Sequence, residues 1–233
     1  MIVVLCAMKQ ERDALVKLMK DIKHVKNRKI RVLDTELNNH FFVGKIGNKE
    51  VAVGKTGIGE VYASIATVLA IQKFKPELII NLGCAGSLNE NVGINDVVIA
   101  DKAADWRFDA VDWPRGFDSI YSAYPCDEKV INIVKKLNLD TKVHFGPIVS
   151  ANEFIYKKSQ INEIRKHYPE AMCGDMEGTA IANTCFAFGI NCSIIRSISD
   201  VTMVAKNYHT YYFNLEQVCD TAADLAAKII RKY

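Results

Sequence analysis

The sequence predicts a single α/β domain with a largely parallel or mixed sheet, extending over residues 1–233. Short apolar runs rich in β-branched residues alternate with segments whose apolar side chains recur at helical spacing. Hydrophobic residues make up 49% of the chain, which is enough for a sizeable core. Because the sequence contains no internal repeat, low-complexity segment or linker, one domain is the most economical interpretation.

The first third of the chain predicts two strand regions and two helices. Residues 2–6 (IVVLC) form a β-branched apolar run that is typical of a buried strand. A helix is predicted from Lys9 to Lys20, and the basic stretch 20–31 is predicted to be a solvated helix end and loop. Alternation on both sides of Gly47-Asn48 predicts a hairpin. Apolar spacing from Glu60 to Phe74 predicts a helix that the following proline ends.

The middle of the chain alternates strands with one helix. An apolar strand is predicted at 77–83, where it enters a turn of small residues, and another at 94–101. Residues 102–126 are rich in aromatic residues and proline and are predicted to be irregular. A helix at 127–137 and a strand at 142–150 follow.

The last third predicts three helices and one strand. Helices are expected at 159–168 and at 176–189, the second with Gly189 at its C′ position. A strand is predicted at 191–198, and the final helix at 214–231 shows apolar residues at helical spacing.

Composition and charge exclude several function classes. The net charge is +3, with 30 basic and 27 acidic residues and no basic stripe, which argues against a nucleic-acid partner. The seven cysteines include no C-x-x-C pair and the histidines form no H-E-x-x-H pattern, so reduced thiols and no metal site are expected. Since no signal peptide or membrane-length apolar run is found, the expected protein is soluble and cytoplasmic, with no membrane partner.

Three carboxylates stand at positions that face inwards. Glu11 and Glu177 each lie three and four residues before the first apolar residues of their predicted helices, so they share the apolar face. Asp200 follows an apolar strand. Each could instead stabilise a helix N-terminus or a turn. Because the carboxyl ends of strands form the ligand crevice in open α/β sheets, their convergence there predicts an acidic pocket. Arg196 and Asp200 in the last strand leave two interpretations open: either the strand runs out into a solvated loop, or its end delivers an acid to a pocket.

Two glycine-rich loops, GKTGIGE and GCAG, are interpreted as tight turns. Tyr62 stands where a dinucleotide fingerprint would need its third glycine, so a nicotinamide cofactor is not favoured. Phe154 and Ile155 follow a predicted strand, where simple core packing is the alternative to a binding role.

Five motifs, AMKQE, KTGIGEV, NLGCAGSL, DMEGTAIA and RSISD, occur in an order and spacing that resemble the 5′-methylthioadenosine/S-adenosylhomocysteine nucleosidases of the nucleoside phosphorylase superfamily. The resemblance covers nearly the whole chain. It implies a mixed, barrel-like central sheet flanked by helices, a homodimer, a small nucleoside substrate, and no metal or organic cofactor. The implied reaction is hydrolysis of the N-glycosidic bond, with release of adenine.

The resemblance also implies roles for individual residues. Asp200 is similar to the general acid that protonates purine N7, and Glu11 to the glutamate that polarises the attacking water. Glu177 and the backbone of Met176 resemble the pair that holds the ribose hydroxyls. Phe154 resembles the residue that stacks on the base.

The supporting residues follow from the same resemblance. The Ile155 backbone would read the base edge, and Arg196 and Ser199 would support the water and the acid. The remaining expected members of the substrate pocket are Met8, Ile58, Cys84, Ala85 and Gly86.

The chain departs from the family pattern at several positions. Cys84 stands where the family commonly has Ser, and Asn152 where Asp is common. Residues 105–125 and 203–213 also differ from the pattern, and they are expected to read the 5′ substituent and the neighbouring subunit.

Three alternatives to this function stay open. A nucleoside phosphorylase would need arginines around phosphate, and neither glycine-rich loop contains any. A futalosine-type nucleoside hydrolase would differ at the 5′ end of the substrate. A non-catalytic nucleoside-binding protein would be expected to lose a carboxylate, whereas this chain retains all three.

Overall fold

The computed structural model describes residues 1–26, 40–108, 116, 123–201 and 207–233. In these ranges the chain forms ten strands and six helices. In chain order they are β1 (Ile2–Cys6), α1 (Lys9–Val16), β2 (Lys20–Lys26), β3 (His40–Ile46), β4 (Lys49–Lys55), α2 (Glu60–Phe74), β5 (Leu78–Ser87), β6 (Val97–Asp105), β7 (Ala123–Pro125), α3 (Glu128–Val134), β8 (Val143–Ser150), α4 (Lys158–His167), β9 (Cys173–Asp175), α5 (Gly178–Ala187), β10 (Asn191–Val201) and α6 (Asn207–Lys232).

Five strands close into a mixed barrel, and the remaining strands extend from it. The ring runs β10-β6-β8-β9-β5 and closes because β5 also pairs with β10 in parallel. Within it, β6 and β9 also form antiparallel pairs, with β10 and β5 respectively. An arm continues from β5 through β1, β4, β3 and β2, and β7 lies against β6. This architecture confirms the predicted α/β class with a mixed, barrel-like sheet.

The core fills both sides of the sheet, as β1 shows. Ile2 and Val4 pack with residues of α1 and α6, whereas Val3 and Leu5 pack with residues of α2 and α5. Successive side chains of a strand point to opposite faces, so a strand covered by helices on both sides becomes a continuous apolar run. That is why the sequence of β1 shows no alternation.

Several predicted elements are confirmed. The helix from Glu60 to Phe74 has the predicted bounds, and the hairpin turns at Gly47-Asn48 between β3 and β4. Gly189 lies after the C-cap of α5 with a φ of +66°, as expected for a C′ glycine. The predicted strands at 77–83 and 94–101 are present, although the observed β5 and β6 extend further towards the C-terminus.

The basic segment after α1 was predicted wrongly. α1 ends at Val16 rather than at Lys20, and the first seven residues of the basic stretch form β2. β2 lies at the end of the sheet order, paired with β3 alone among the described strands. Charged residues are common on edge strands because lysines discourage further pairing, and this explains why the segment resembles a solvated loop in sequence.

Other differences concern short elements and boundaries. β7 and β9 were not predicted, because three residues are too few to show a period. β10 continues to Val201, three residues beyond its predicted end, and α6 begins at Asn207 rather than at 214. Most of the predicted segment 105–125 and residues 203–206 lie outside the described residues, so the expectations about them stay predictions. In the part of the chain described here, no helix combines the length and the apolar character needed to cross a bilayer.

Candidate active site

A cavity of about 470 Å³ opens at the carboxyl ends of β1, β5 and β10. Its volume lies in the range of sites that bind small molecules. The structure brings all of the predicted site residues to its wall except Arg196. Those residues are Met8, Glu11, Ile58, Cys84, Ala85, Gly86, Phe154, Ile155, Met176, Glu177, Ser199 and Asp200.

Glu11 lies in the first turn of α1, and its carboxylate joins two elements. One oxygen, Oε2, accepts from the backbone N–H of Met8 at 2.9 Å, as in a capping box. The other, Oε1, accepts from the backbone N–H of Cys84 at 3.1 Å and from its thiol at 3.4 Å. Burial raises the pKa of Glu11, although the Met8 amide and the charge of Arg196 oppose this effect. Glu11 therefore serves the helix terminus and also faces the cavity.

Glu177 is the N-cap residue of α5 rather than a member of its first turn. Its side chain makes no cap hydrogen bond to its own helix. Instead, Oε1 accepts from the backbone N–H of Gly59 at 2.8 Å, across the cavity wall. Burial, followed by the nearby charge of Asp175, raises the pKa of Glu177 from 4.5 to about 8. The carboxylate is held by a distant loop, which the helix-terminus interpretation does not explain.

Asp200 lies inside β10, next to an irregularity in the pairing with β5. The register shifts between Ile198 and Asp200. Successive residues of a regular strand point to opposite faces, yet Ser199 and Asp200 both line the cavity. The Ser199 hydroxyl donates to Oδ1 of Asp200 at 2.8 Å, and Asp200 is only 1% exposed. The irregularity thus presents the acid and its donor to the same space.

Arg196 lies behind the cavity, where its charge is matched within the core. Its Nε and Nη2 contact Oδ2 of Asp175 at 2.8 and 2.5 Å, and Nη1 donates to the carbonyl oxygen of Asn81 at 3.2 Å. Nη2 also donates to the side-chain oxygen of Asn81. Burial lowers the pKa of Arg196, but the carboxylates of Asp175, Glu177 and Glu11 outweigh it and raise the pKa overall. The structure therefore places Arg196 as a support of Asp175.

Asp175 is the principal residue that the sequence analysis missed. It ends β9, lines the cavity and accepts from the Ser150 hydroxyl at 2.5 Å and from the backbone N–H of Gly178 at 3.2 Å. A carboxylate directly before Met176 and Glu177 was the available signal, but β9 was not recognised as a strand. The other lining residues not predicted are Ala7, Gln10, Glu153, Gly174 and Leu215.

Phe154 and Ile155 lie in the segment between β8 and α4. Phe154 is 39% exposed and faces the cavity, so core packing does not account for it, whereas Ile155 is buried. Gln160 holds the segment by donating to the carbonyl oxygen of Phe154 at 3.1 Å and accepting from the backbone N–H groups of Tyr156 and Lys157. Gln160 thus fixes the backbone that presents the Phe154 ring to the cavity.

The arrangement suits acid–base chemistry on a ligand that joins a polar ring to a flat apolar group. The carboxylates would face the polar ring, and Phe154 would face the flat group. Glu11, Asp175, Glu177 and Asp200 provide carboxylates at one cavity, and the described lining contains no Arg or Lys. Such a site favours a neutral ligand that gains positive charge during reaction over an anionic ligand.

Sequence comparisons relate the chain to known proteins. The sequence model of the phosphorylase superfamily matches residues 1–233. The 5′-methylthioadenosine/S-adenosylhomocysteine nucleosidase of Staphylococcus aureus (strain bovine RF122 / ET3-1) is 39% identical over 168 residues, which are 69% of this chain and 73% of that protein.

Solved structures are similar over the full length. The 5′-methylthioadenosine/S-adenosylhomocysteine nucleosidase of Neisseria meningitidis, in complex with methylthio-immucillin-A, is 26% identical with a TM-score of 0.88, covering 100% of this chain and 99% of that one. A Helicobacter pylori nucleosidase variant with 5′-methylthioadenosine in its active site is also 26% identical, with a TM-score of 0.88 and coverage of 100% and 98%.

Proposed function

The chain belongs to the phosphorylase superfamily, and from that premise we propose that it hydrolyses the N-glycosidic bond of 5′-methylthioadenosine and S-adenosylhomocysteine, releasing adenine and the 5-thio-ribose product. The observation that carries the proposal is the meeting of Glu11, Glu177 and Asp200 in one cavity beside the exposed ring of Phe154. These four side chains match what departure of a purine from a ribose requires.

The proposed mechanism gives each carboxylate a separate task. Asp200, with Ser199 as its donor, transfers a proton to purine N7, so that adenine leaves as a neutral base. The ribosyl group becomes cation-like as the bond breaks, and this positive charge favours the ionised forms of Glu11 and Glu177, whose pKa values burial raises. The ionised carboxylates stabilise the cation more than they stabilise the ground state. Glu11 then takes the proton from the attacking water. One acid and one base divide the work as in glycoside hydrolysis.

Ground-state contacts complete the proposed site. Glu177 and the Met176 backbone bind the ribose hydroxyls, Phe154 stacks on the base, and the Ile155 backbone reads the base edge. Met8 and Ile58 line the ribose and 5′-thio side. Asp175 and Arg196 support the wall behind Met176 and Glu177. The Arg196 guanidinium itself does not contact the substrate.

Water is the proposed nucleophile rather than phosphate. A phosphorylase has to neutralise a phosphate anion, commonly with arginine, and the described cavity wall contains carboxylates but no Arg or Lys. The ionised carboxylates of Glu11 and Glu177 would repel that anion. This observation disfavours the phosphorylase alternative.

We further propose that the protein acts in the cytoplasm as a homodimer. Exposed apolar side chains lie on α2 and α5, two helices that pack against each other, with Val61 66% and Phe186 62% exposed. Surfaces of this kind mark protein interfaces. Light scattering at micromolar concentration measures the mass directly, and a monomer of 26.1 kDa would contradict the proposal.

The function is tested by chromatography of base release in phosphate-free buffer, with methylthioadenosine, S-adenosylhomocysteine, adenosine and inosine in parallel. Free adenine from the two thio-nucleosides without phosphate supports the hydrolase, whereas release only after phosphate is added would establish a phosphorylase. Futalosine added to the panel tests the other hydrolase alternative.

Replacing Asp200 separates catalysis from binding. Asp200→Asn keeps the size of the side chain but removes its acidic proton, so turnover is expected to fall by about 10² to 10⁴-fold. Binding of 5′-methylthioadenosine, measured by calorimetry, should change little. Undiminished adenine release in this variant would refute the role of Asp200 as the acid. Weaker binding with unchanged turnover of the bound substrate would refute it as well.

A further inference from the structure

The N-terminus of α2 is capped by a residue from a distant part of the chain. Its own N-cap residue is Gly59, which has no side chain and lies at a φ of +97°. The first helical N–H, that of Glu60, donates to Oδ1 of Asn152 at 2.8 Å. Helix N-termini leave such amides without a helical partner, and side-chain oxygens of Asn are good acceptors for them. Asn152 therefore does for α2 what a local cap residue does elsewhere.

The same side chain makes a second bond in the opposite direction. Nδ2 of Asn152 donates to Oε2 of Glu60 at 2.9 Å. One residue thus accepts from the backbone of Glu60 and donates to its carboxylate. We call this two-bond pairing the Asn152–Glu60 clasp.

The clasp connects two walls of the cavity. On one side, the residue before Glu60 is Gly59, whose N–H donates to Oε1 of Glu177 at 2.8 Å. On the other side, Asn152 stands two residues before Phe154, and both Phe154 and Glu177 line the cavity. A change in the clasp would therefore alter the position of the Gly59 amide relative to the aromatic ring.

The chemistry of the clasp requires an amide at position 152. An ionised carboxylate there could accept from the Glu60 N–H but could not donate to the Glu60 side chain. Burial, followed by the charges of Asp105 and Asp175, already raises the pKa of Glu60 to about 7. A further carboxylate would add to the repulsion. Space is also limited, because a Cβ on Gly59 would lie 2.8 Å from Oδ1 of Asn152.

We propose that Asn152 is a positioning residue for the nucleoside site: its pairing with Glu60 holds the Gly59 amide against Glu177 and fixes the ribose-binding wall relative to the base-stacking wall. The proposal rests on the function proposed above and adds a positioning residue that does not touch the substrate. The chain carries Asn here because Glu60 is its partner.

A charge-swapped pair tests the clasp by kinetics. Asn152→Asp places two carboxylates in contact, and we expect kcat/KM for 5′-methylthioadenosine to fall by about tenfold, mainly through KM, as the loss of one hydrogen bond to a charged group would produce. Adding Glu60→Gln restores a donor opposite the new acceptor. The double variant should therefore recover to within about threefold of the wild type.

The control is Asn132→Asp, the same change on an exposed position of α3 outside the cavity, which should leave kcat and KM unchanged. Equal kinetics for Asn152→Asp and the wild type would overturn the proposal. So would a double variant no better than Asn152→Asp, because a merely local destabilisation is not rescued by a change of partner.

Amide hydrogen exchange of residues 58–62 tests the clasp without using activity. Asn152→Ala should accelerate exchange at the Glu60 amide, whereas Asn132→Ala should not. If exchange responds but the wild type releases no adenine, the clasp stands and the proposed function fails. If the wild type releases adenine but substitutions at position 152 change neither the exchange nor the kinetics, the function stands and the positioning role is overturned.

Discussion

At the scale of single residues, the site depends on a charge pair that is buried at and behind the cavity wall. The side chains of Asp175 and Arg196 are each only 2% exposed, and they contact each other at 2.5 Å. Taking two charges out of water is costly, and the pair is tolerated because Ser150 and Asn81 satisfy the remaining donors and acceptors. Glu177 follows Asp175 by two residues, so this pair helps to determine where the Glu177 carboxylate lies.

Asp175→Asn is expected to destabilise the fold strongly. The variant removes the carboxylate that contacts the buried guanidinium of Arg196, and breaking a buried pair in this way costs about 3–5 kcal/mol. Urea unfolding measures the loss. Ser150→Ala removes a hydrogen bond to the same carboxylate and one from the backbone N–H of Thr179 without unpairing a charge, and it should cost about 2 kcal/mol. A cost below that of Ser150→Ala would contradict the role given to the pair.

Cys84 places a thiol, rather than a hydroxyl, against the carboxylate of Glu11. Its thiol lies 3.4 Å from Oε1 of Glu11, and burial, followed by the charge of Glu11, raises the pKa of the thiol well above its ordinary value. The group is therefore a neutral S–H donor rather than a nucleophile.

Cys84→Ser is expected to retain or raise kcat/KM, since a hydroxyl is a stronger donor at the same position. Cys84→Ala removes the donor and should lower kcat/KM by about two- to tenfold, the effect of one weak hydrogen bond. Steady-state adenine release compares the two variants. Serine performing worse than alanine would show that the thiol has another role.

At the scale of elements, α1 and β5 approach each other through a position without a side chain. Glu11 reaches from α1 to the amide of Cys84 on β5, and it passes over Gly83. A Cβ on Gly83 would lie 2.6 Å from Oε1 of Glu11. The strand therefore needs glycine at this position for the carboxylate to reach its place.

Gly83→Ala should displace the Glu11 carboxylate while leaving the sheet intact. A misplacement of about 1 Å in a catalytic group is expected to lower kcat by about 10²-fold. Gly93→Ala is the matched control, because its added Cβ would meet only Oδ2 of Asp96 at 3.9 Å, an ordinary contact. Circular dichroism verifies folding of both variants. Normal turnover of folded Gly83→Ala would show that Glu11 is not held as described.

At the scale of the whole molecule, buried carboxylates make stability depend on pH. The pKa of Glu177 is raised on folding from 4.5 to about 8, mainly by burial, and that of Glu11 is raised as well. Between those pH values the unfolded chain releases the proton of Glu177 first. The stability contributed by the protonated side chain is therefore complete below pH 4.5 and is lost as pH rises to about 8.

Glu177→Gln should remove part of this dependence. The amide still accepts from the Gly59 N–H but does not ionise, so the variant is expected to melt at a higher temperature than the wild type at pH 8.5 and at a similar temperature at pH 4.5. The gain reflects a few kcal/mol of avoided desolvation. Glu50→Gln, on an exposed position of β4, should show no difference. An unchanged melting curve at pH 8.5 would contradict the raised pKa of Glu177.

The sequence by itself determined the alternation of strands and helices, because hydrophobic period and glycine and proline signals are local properties of the chain. It also identified Glu11, Glu177 and Asp200, since each carboxylate interrupts an apolar pattern or ends one. These residues are recognisable without coordinates of any neighbour. The three-residue strands and the edge strand β2 were not recognisable, because their length or their charge removes the period.

Only the tertiary structure decided which partners those residues have. The closure of β5 on β10, the bond from Gly59 to Glu177, the pairing of Arg196 with Asp175, and the clasp between Asn152 and Glu60 each join positions far apart in the chain. Contacts of this kind depend on how sheets close and helices pack, and no local pattern encodes them. That is the physical reason why the sequence revealed the carboxylates of the site, whereas the fold revealed what holds them in place.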